Sequence, residues 1–128
     1  MKLTFFWSFS PGRVDPVCQC ALVNSRGFSP LGELLTDTGG LLADDAIAWR
    51  TEALAFVDSV LNGVTPAGDW ATETYCCEFT REQTSVSEID DEADAVTLNT
   101  ISFRSALEAS IEFFKSRPRA DYRLEVEV

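Results

Sequence analysis

The densest group of side chains that could do chemistry is the acidic segment from Glu88 to Asp94, which reads Glu-Ile-Asp-Asp-Glu-Ala-Asp. Paired carboxylates can act as general acid and base or can bind Mg²⁺. The segment lacks the Asp-x-Asp-x-Asp-Gly spacing of a calcium loop, and no second motif supplies substrate chemistry. Two interpretations therefore stay open: a solvated connection, or a surface that docks the cations of a partner. The carboxylates concerned are Glu88, Asp90, Asp91, Glu92 and Asp94.

The four cysteines form two pairs, Cys18-Gln-Cys20 and Cys76-Cys77. Four thiolates suit tetrahedral zinc, but structural zinc sites usually use two Cys-x-x-Cys knuckles, and neither pair has that spacing. On a strand, Cys18 and Cys20 would share one face, whereas Cys76 and Cys77 would lie on opposite faces. The pattern favours reduced cysteines that act as small core residues, and it predicts no metal site.

The sequence contains no histidine. This removes the commonest general base, the commonest metal ligand and every Ser-His or Cys-His nucleophilic pair. The pair Gly39-Gly40 has no neighbouring lysine and none of the strand-to-helix context of a phosphate-binding loop. We therefore expect no catalytic residue and no cofactor, so the protein is predicted not to be an enzyme.

The charge is strongly unbalanced, with 21 Asp and Glu against 10 Lys and Arg and a net charge of -11 over 128 residues. Such a field repels nucleic-acid phosphates and attracts basic surfaces, so the expected partner is a basic protein and not nucleic acid. The apolar run from Leu3 to Phe9 is too short and too aromatic for a signal peptide, and no segment approaches the ~20 apolar residues of a membrane span. The expected location is the cytoplasm.

The first half of the chain predicts two strands and a long helix. Residues Lys2 to Phe9 are β-prone, and Val17 to Val23 form a second short apolar run. Residues 24–40 are rich in turn formers and give no clear pattern. From Leu41 to Asn62 the apolar period is helical, with Gly63 as its terminator. Arg50 falls inside the apolar arc, where it could extend to the rim or pair with a buried carboxylate; the rim position is the expectation.

The second half predicts an antiparallel hairpin, a helix and a last strand. The hairpin covers Asp69 to Val86 and turns at Arg81-Glu-Gln83, and a short strand is expected at Ala95 to Leu98. Ser102 fits the N-cap of a helix that ends before Pro118. One face of this helix carries a predicted apolar stripe, formed by Phe103, Ala106, Leu107, Ile111, Phe113 and Phe114. The tail from Tyr122 to Val128 alternates apolar and polar residues, as a half-buried strand does.

These elements predict one α+β domain over residues 1–128. We expect an antiparallel sheet of about four to five strands packed with two main helices. A chain of this size buries roughly two thirds of its unfolded surface, which suffices for one core.

The segment from Thr100-Ile-Ser-Phe103 into Ala106-Leu-Glu-Ala-Ser-Ile-Glu-Phe-Phe114 resembles the late helix of immunity proteins from bacterial contact-dependent inhibition and related polymorphic toxin systems. In these proteins the helix often opens with an Ile-Ser-aromatic entry and closes on a Phe pair. The match covers residues 100–115, and the rest of the chain is similar in size, charge and layout. The resemblance implies that the protein binds and inactivates a cognate toxin, frequently a nuclease, inside the producing cell.

The leading hypothesis is a monomeric, non-enzymatic inhibitor that forms a one-to-one complex with a basic toxin domain. Besides the acidic segment, the expected partner contacts are Asp44, Asp45 and Glu52 on the first helix, with Trp70 as an aromatic anchor or a core residue. Two rivals stay open. One is a small metal-dependent enzyme or accessory protein that uses the carboxylates and thiolates, and the other is an interaction module that mimics nucleic acid.

Overall fold

The computed structural model describes all residues from 1 to 128. It confirms the α+β class, in a single domain with three helices and seven strands, and the strands form two antiparallel sheets where one was predicted. The elements in chain order are β1 (Lys2–Ser10), β2 (Arg13–Cys20), α1 (Pro30–Thr36), α2 (Ala43–Leu61), β3 (Ala67–Ala71), β4 (Tyr75–Thr80), β5 (Gln83–Glu88), β6 (Asp91–Asn99), α3 (Thr100–Lys115) and β7 (Arg123–Glu127).

The first sheet has the order β2-β1-β7, so the N-terminal strand lies between the C-terminal strand and its own hairpin partner. Alternate residues Leu3, Phe5 and Trp7 are buried, as the period of a strand requires. The predicted run from Val17 to Val23 is wrong in its bounds. The turn at Gly12 (φ 74°) fixes the register of the hairpin, and Cys20 pairs with Leu3 near the beginning of β1, so no partner strand continues beyond it.

The second sheet is a meander in the order β3-β4-β5-β6. The turn predicted at Arg81-Glu-Gln83 is confirmed for Arg81 and Glu82, while Gln83 is already the first residue of β5. The predicted strand at residues 95–98 lies within the longer β6, and β3 is a separate edge strand. A register shift between Val86 and Glu88 bends the far end of the β5–β6 pair.

Helices α2 and α3 match the predicted helical regions. Gly63 follows α2 with φ 75°, the left-handed conformation that terminates helices. The predicted N-cap of α3 is wrong by three residues: the Asn99 side chain caps the helix by accepting from the Ser102 N–H at 2.7 Å. Asn is as good a cap as Ser, and the helix therefore begins three residues earlier than predicted.

Helix α1 lies in the region where the sequence gave no clear pattern. The Ser29 hydroxyl accepts from the Gly32 N–H at 3.1 Å, and Pro30 occupies the first turn, where a missing N–H costs nothing. Leu31, Leu34 and Leu35 are fully buried. Seven residues are too few to show a helical period in the sequence. Isolated helices of this length are unstable in water, so the burial of these leucines is what stabilises α1.

The core lies between the helices and the inner faces of both sheets. The Phe113 ring on α3 stacks on Trp7 at 4.5 Å and lies 5.3 Å from Phe5, while Phe103 on the same helix lies 6.2 Å from Phe79 in the second sheet. Helix α3 is therefore the element that joins the two sheets, as its predicted apolar stripe requires. None of the helices combines the length and hydropathy needed to cross a membrane.

Candidate functional site

The acidic segment from Glu88 to Asp94 forms the tip of the β5–β6 hairpin, with a two-residue turn at Ile89 and Asp90. The Arg26 side chain extends from the loop before α1 and pairs with three of the carboxylates. Its Nη2 lies 2.7 Å from Glu88 and 3.3 Å from Asp91, and its Nε lies 3.7 Å from Asp94. The hairpin is thus partly neutralised within the molecule.

Asp94 has further partners in the same loop. Its carboxylate accepts from the Ser25 N–H at 3.0 Å and from the Ser25 hydroxyl at 2.8 Å. These hydrogen bonds, together with the Arg26 charge, hold the pKa of Asp94 below its usual value. Of the five predicted contacts in this segment, Asp90 and Glu92 are exposed and outside any ion pair. Sequence reasoning missed Arg26, because the pairing joins residues more than 60 positions apart.

The exposed side of α2 carries the other predicted contacts. Asp44, Asp45 and Glu52 are all exposed, and none of them forms an ion pair. The first two lie in the first turn, where they also complement the helix dipole. The only basic residue of the helix is Arg50, and its side chain is fully buried. The solvent side of α2 therefore carries no positive charge.

The expectation that Arg50 extends to the rim is wrong, and so is its alternative of a buried carboxylate. The guanidinium donates to a hydroxyl on α3, to one main-chain oxygen of α2 itself, and to three main-chain oxygens at the end of α1, where helix carbonyls lack helical partners. The acceptors are Leu34 O (3.2 Å), Leu35 O (3.0 Å), Asp37 O (2.7 Å), Ala46 O (3.3 Å) and Ser110 Oγ (3.1 Å). Burial lowers the pKa of Arg50 to about 10, which still leaves it charged at neutral pH.

Trp70 is a core residue, 6% exposed, so it offers no accessible ring to a partner as an anchor would. It packs edge-on against Trp49 with ring centroids 5.5 Å apart, and the guanidinium carbon of Arg50 lies 5.9 Å from its ring. Its neighbours on β3, Asp69 and Ala71, are exposed and face outward. Because successive strand residues face opposite sides, Trp70 faces the core, on the side of α2. The core alternative for Trp70 is the correct one.

A third acidic surface, which the sequence did not predict, lines a cleft of about 530 Å³ between the β2 side of the first sheet and the β3–β4 turn. Asp15, Glu33, Asp37 and Glu73 contribute carboxylates, with Arg13 as the only cation. Asp37 accepts from the Thr72 hydroxyl at 2.8 Å and from the Thr74 N–H at 3.1 Å, so it fastens the end of α1 to this turn. Desolvation, and then repulsion by Asp37, raises the pKa of Glu33.

The four cysteines are free thiols, two on β2 and two on β4. Burial raises the pKa of Cys18 to about 12 and raises that of Cys77 as well, which suppresses thiolate formation at neutral pH. No group of three or more cysteine, aspartate or glutamate side chains is arranged to hold a metal ion.

Comparison with models of known families, with curated proteins and with solved structures finds no match to this chain.

Proposed function

We propose that the protein is an immunity protein that binds a cognate bacterial toxin, most suitably a basic nuclease, and neutralises it without catalysis. The observation that carries this proposal is the charge of helix α2. Its single basic side chain, Arg50, is buried, so Asp44, Asp45 and Glu52 form an exposed surface with no internal cation. The resemblance of residues 100–115 to the late helix of immunity proteins supports the same class.

The inhibitory mechanism is electrostatic. A nuclease cleft is basic because it holds phosphates, and an acidic surface placed over that cleft excludes the substrate and speeds the encounter. The complex forms one-to-one from a monomeric inhibitor, inside the cell that makes both proteins. The acidic hairpin tip contributes to the field mainly through Asp90 and Glu92, since Arg26 already pairs with the other three carboxylates.

The test surveys the genes beside this one for a toxin-bearing exoprotein, purifies its toxin domain and mixes that domain with the protein. We expect a one-to-one complex by light scattering, loss of toxin activity at equimolar inhibitor, and protection of cells that express both proteins. A toxin that stays fully active in excess inhibitor would contradict the proposal.

A charge-matched control separates a specific surface from net charge. The variant D44N/E52Q removes two carboxylates from α2, and D121N/E125Q removes two exposed carboxylates near β7, next to arginines. We expect D44N/E52Q to weaken toxin binding more than D121N/E125Q does. Equal losses from the two variants would mean that net charge alone, and not the α2 surface, determines binding.

A further inference from the structure

The outer face of the second sheet is open to solvent. The buried side chains of its strands, among them Trp70, Cys77, Phe79 and Val86, face the helices, so the alternate residues face outward. None of the strands β3, β4, β5 and β6 contains a lysine or an arginine. The outward side chains are small, polar or acidic, which gives this face a negative potential without an internal cation.

Two carboxylates on this face oppose each other directly. Asp69 on β3 and Glu78 on β4 are register partners, both exposed and both without an ion pair. Like charges directly opposite on adjacent strands destabilise a sheet. They border a cavity of about 460 Å³ with Thr80, Gln83 and Ser85. A cation bound between the two carboxylates would remove the repulsion that the free protein carries.

An apolar surface adjoins the acidic one across the edge strand β3. Phe56 on α2 is 42% exposed and borders a second cavity of about 330 Å³. Ala67, Gly68 and Asp69 line both cavities. The edge of β3 therefore separates an exposed aromatic ring from an unneutralised carboxylate pair, an arrangement typical of an apolar anchor beside a charged rim.

We propose that this β3 surface, formed by Phe56, Asp69 and Glu78 around the edge of β3, is the docking surface for a basic segment of the partner. Arginine or lysine side chains of the partner lie against Asp69 and Glu78, and one apolar side chain packs on Phe56. Charge complementarity selects this occupant, because the face has three features together: no cation, an opposed carboxylate pair and an exposed aromatic ring. The proposal rests on the proposed function for the basic character of the partner, and it extends the contact from the α2 surface, through Phe56 on that helix, to the edge of β3.

A peptide probe tests the location without the toxin. The full chain is titrated with acetyl-Arg-Thr-Arg-Leu-Arg-Thr-Arg-amide at low salt and followed by amide chemical shifts. We expect the shifts to concentrate at Phe56, Ala67 to Asp69 and Glu78. The variant D69N/E78Q should weaken the affinity for the peptide about fivefold, as the loss of two exposed ion pairs implies. The charge-matched variant D121N/E125Q should weaken this affinity less than twofold.

A stability measurement gives a second, independent readout. Because D69N/E78Q removes an unfavourable pair, we expect its melting temperature to rise by about 1 to 3 °C while binding falls. The control D121N/E125Q loses ion pairs and should not gain stability. A rise in stability together with a loss of binding marks residues that serve a partner and not the fold.

The outcomes separate this inference from the proposed function. Peptide shifts centred on Asp44, Asp45 and Glu52, with D69N/E78Q binding as the parent does, would overturn the β3 surface and leave an acidic inhibitor intact. A D69N/E78Q variant that is no more stable than the parent would also overturn it. If the peptide binds nowhere on the molecule at low salt, both the β3 surface and charge-driven binding are wrong.

Discussion

The Arg50 Nη2 on α2 donates to the main-chain oxygen of Asp37 at 2.7 Å. One end of α1 is therefore held by a buried cation from the next helix, while the Asp37 carboxylate binds the β3–β4 turn. The Arg50 guanidinium carbon also lies 4.8 Å from the Phe114 ring of α3. This single side chain therefore contacts all three helices. Because it is buried, the only positive charge of α2 is absent from the protein surface.

Replacing Arg50 tests its structural role. We expect Arg50→Met to lower the free energy of unfolding by about 3 kcal/mol, since Leu34 O and Asp37 O would be buried without donors. Arg50→Lys should recover only part of this loss, because an ammonium group cannot reach the same set of oxygens. Urea denaturation provides the measurement. A matched control is Arg104→Met on α3, whose partly exposed ion pairs with Asp58 and Glu108 are worth less than about 1 kcal/mol.

The apolar stripe of α3 is the second target. Phe113→Ala or Leu107→Ala should cost about 2 to 5 kcal/mol, because both side chains are fully buried and leave cavities. Ile101→Ala, at a position 69% exposed on the same helix, should change stability by less than about 0.5 kcal/mol. If the melting temperature of either core variant lies within a degree of that of the parent, α3 does not hold the two sheets together.

The acidic hairpin should show a pH signature. Asp94 has its pKa lowered from 3.8 by its hydrogen bonds to Ser25, so it stabilises the fold above that value, and the contribution disappears as pH falls through its folded pKa. We expect Asp94→Asn to be less stable than the parent near neutral pH, and the difference to shrink between about pH 5 and pH 2. The matched control is Asp90→Asn, at an exposed position outside any ion pair, which should leave the melting temperature near neutral pH unchanged. Thermal melting across pH is the measurement, and parallel curves for the parent and Asp94→Asn would contradict the assignment.

Folding should not require a metal. Neither cysteine pair belongs to a group of three or more side chains that could hold a metal ion, and the core already includes residues from all three helices and both sheets. We expect the melting temperature to be the same after dialysis against a strong chelator and after addition of Zn²⁺, Mg²⁺ or Ca²⁺, because a native-state site would stabilise the fold by mass action. Stoichiometric zinc in the purified protein, with unfolding on chelation, would contradict this expectation.

Local patterns predicted most of the secondary structure. The helical period over residues 41–62, the stripe of α3 and the alternation of Leu124 and Val126 each need only neighbours in sequence. The length of β2 depended on a partner elsewhere, the beginning of β1. The N-cap of α3 is a local contact between Asn99 and the Ser102 N–H, which the prediction missed. Helix α1 could not be predicted, because a seven-residue helix is stabilised by tertiary burial.

The candidate site was less predictable for the same physical reason. Composition predicted the sign of the surface charge, and the helical period over residues 41–62 predicted the exposed positions on α2. It could not show that Arg26 pairs with Glu88, Asp91 and Asp94, since these contacts cross from one loop to a distant hairpin. Composition also could not show that Glu33 and Asp37 line the same cleft as Glu73, because these residues are far apart in the sequence. Only the register of β3 against β4 places Asp69 opposite Glu78.

The measurement that tests the central claim most directly is the association rate of the protein with the cognate toxin domain proposed above, taken at low and at high salt. We expect fast association that slows steeply as salt rises, because exposed charges steer the encounter and are screened. The variant D44N/D45N/E52Q should slow association at low salt more than it speeds dissociation. A rate that is insensitive to salt and unchanged in this variant would contradict an acidic inhibitor of a basic toxin.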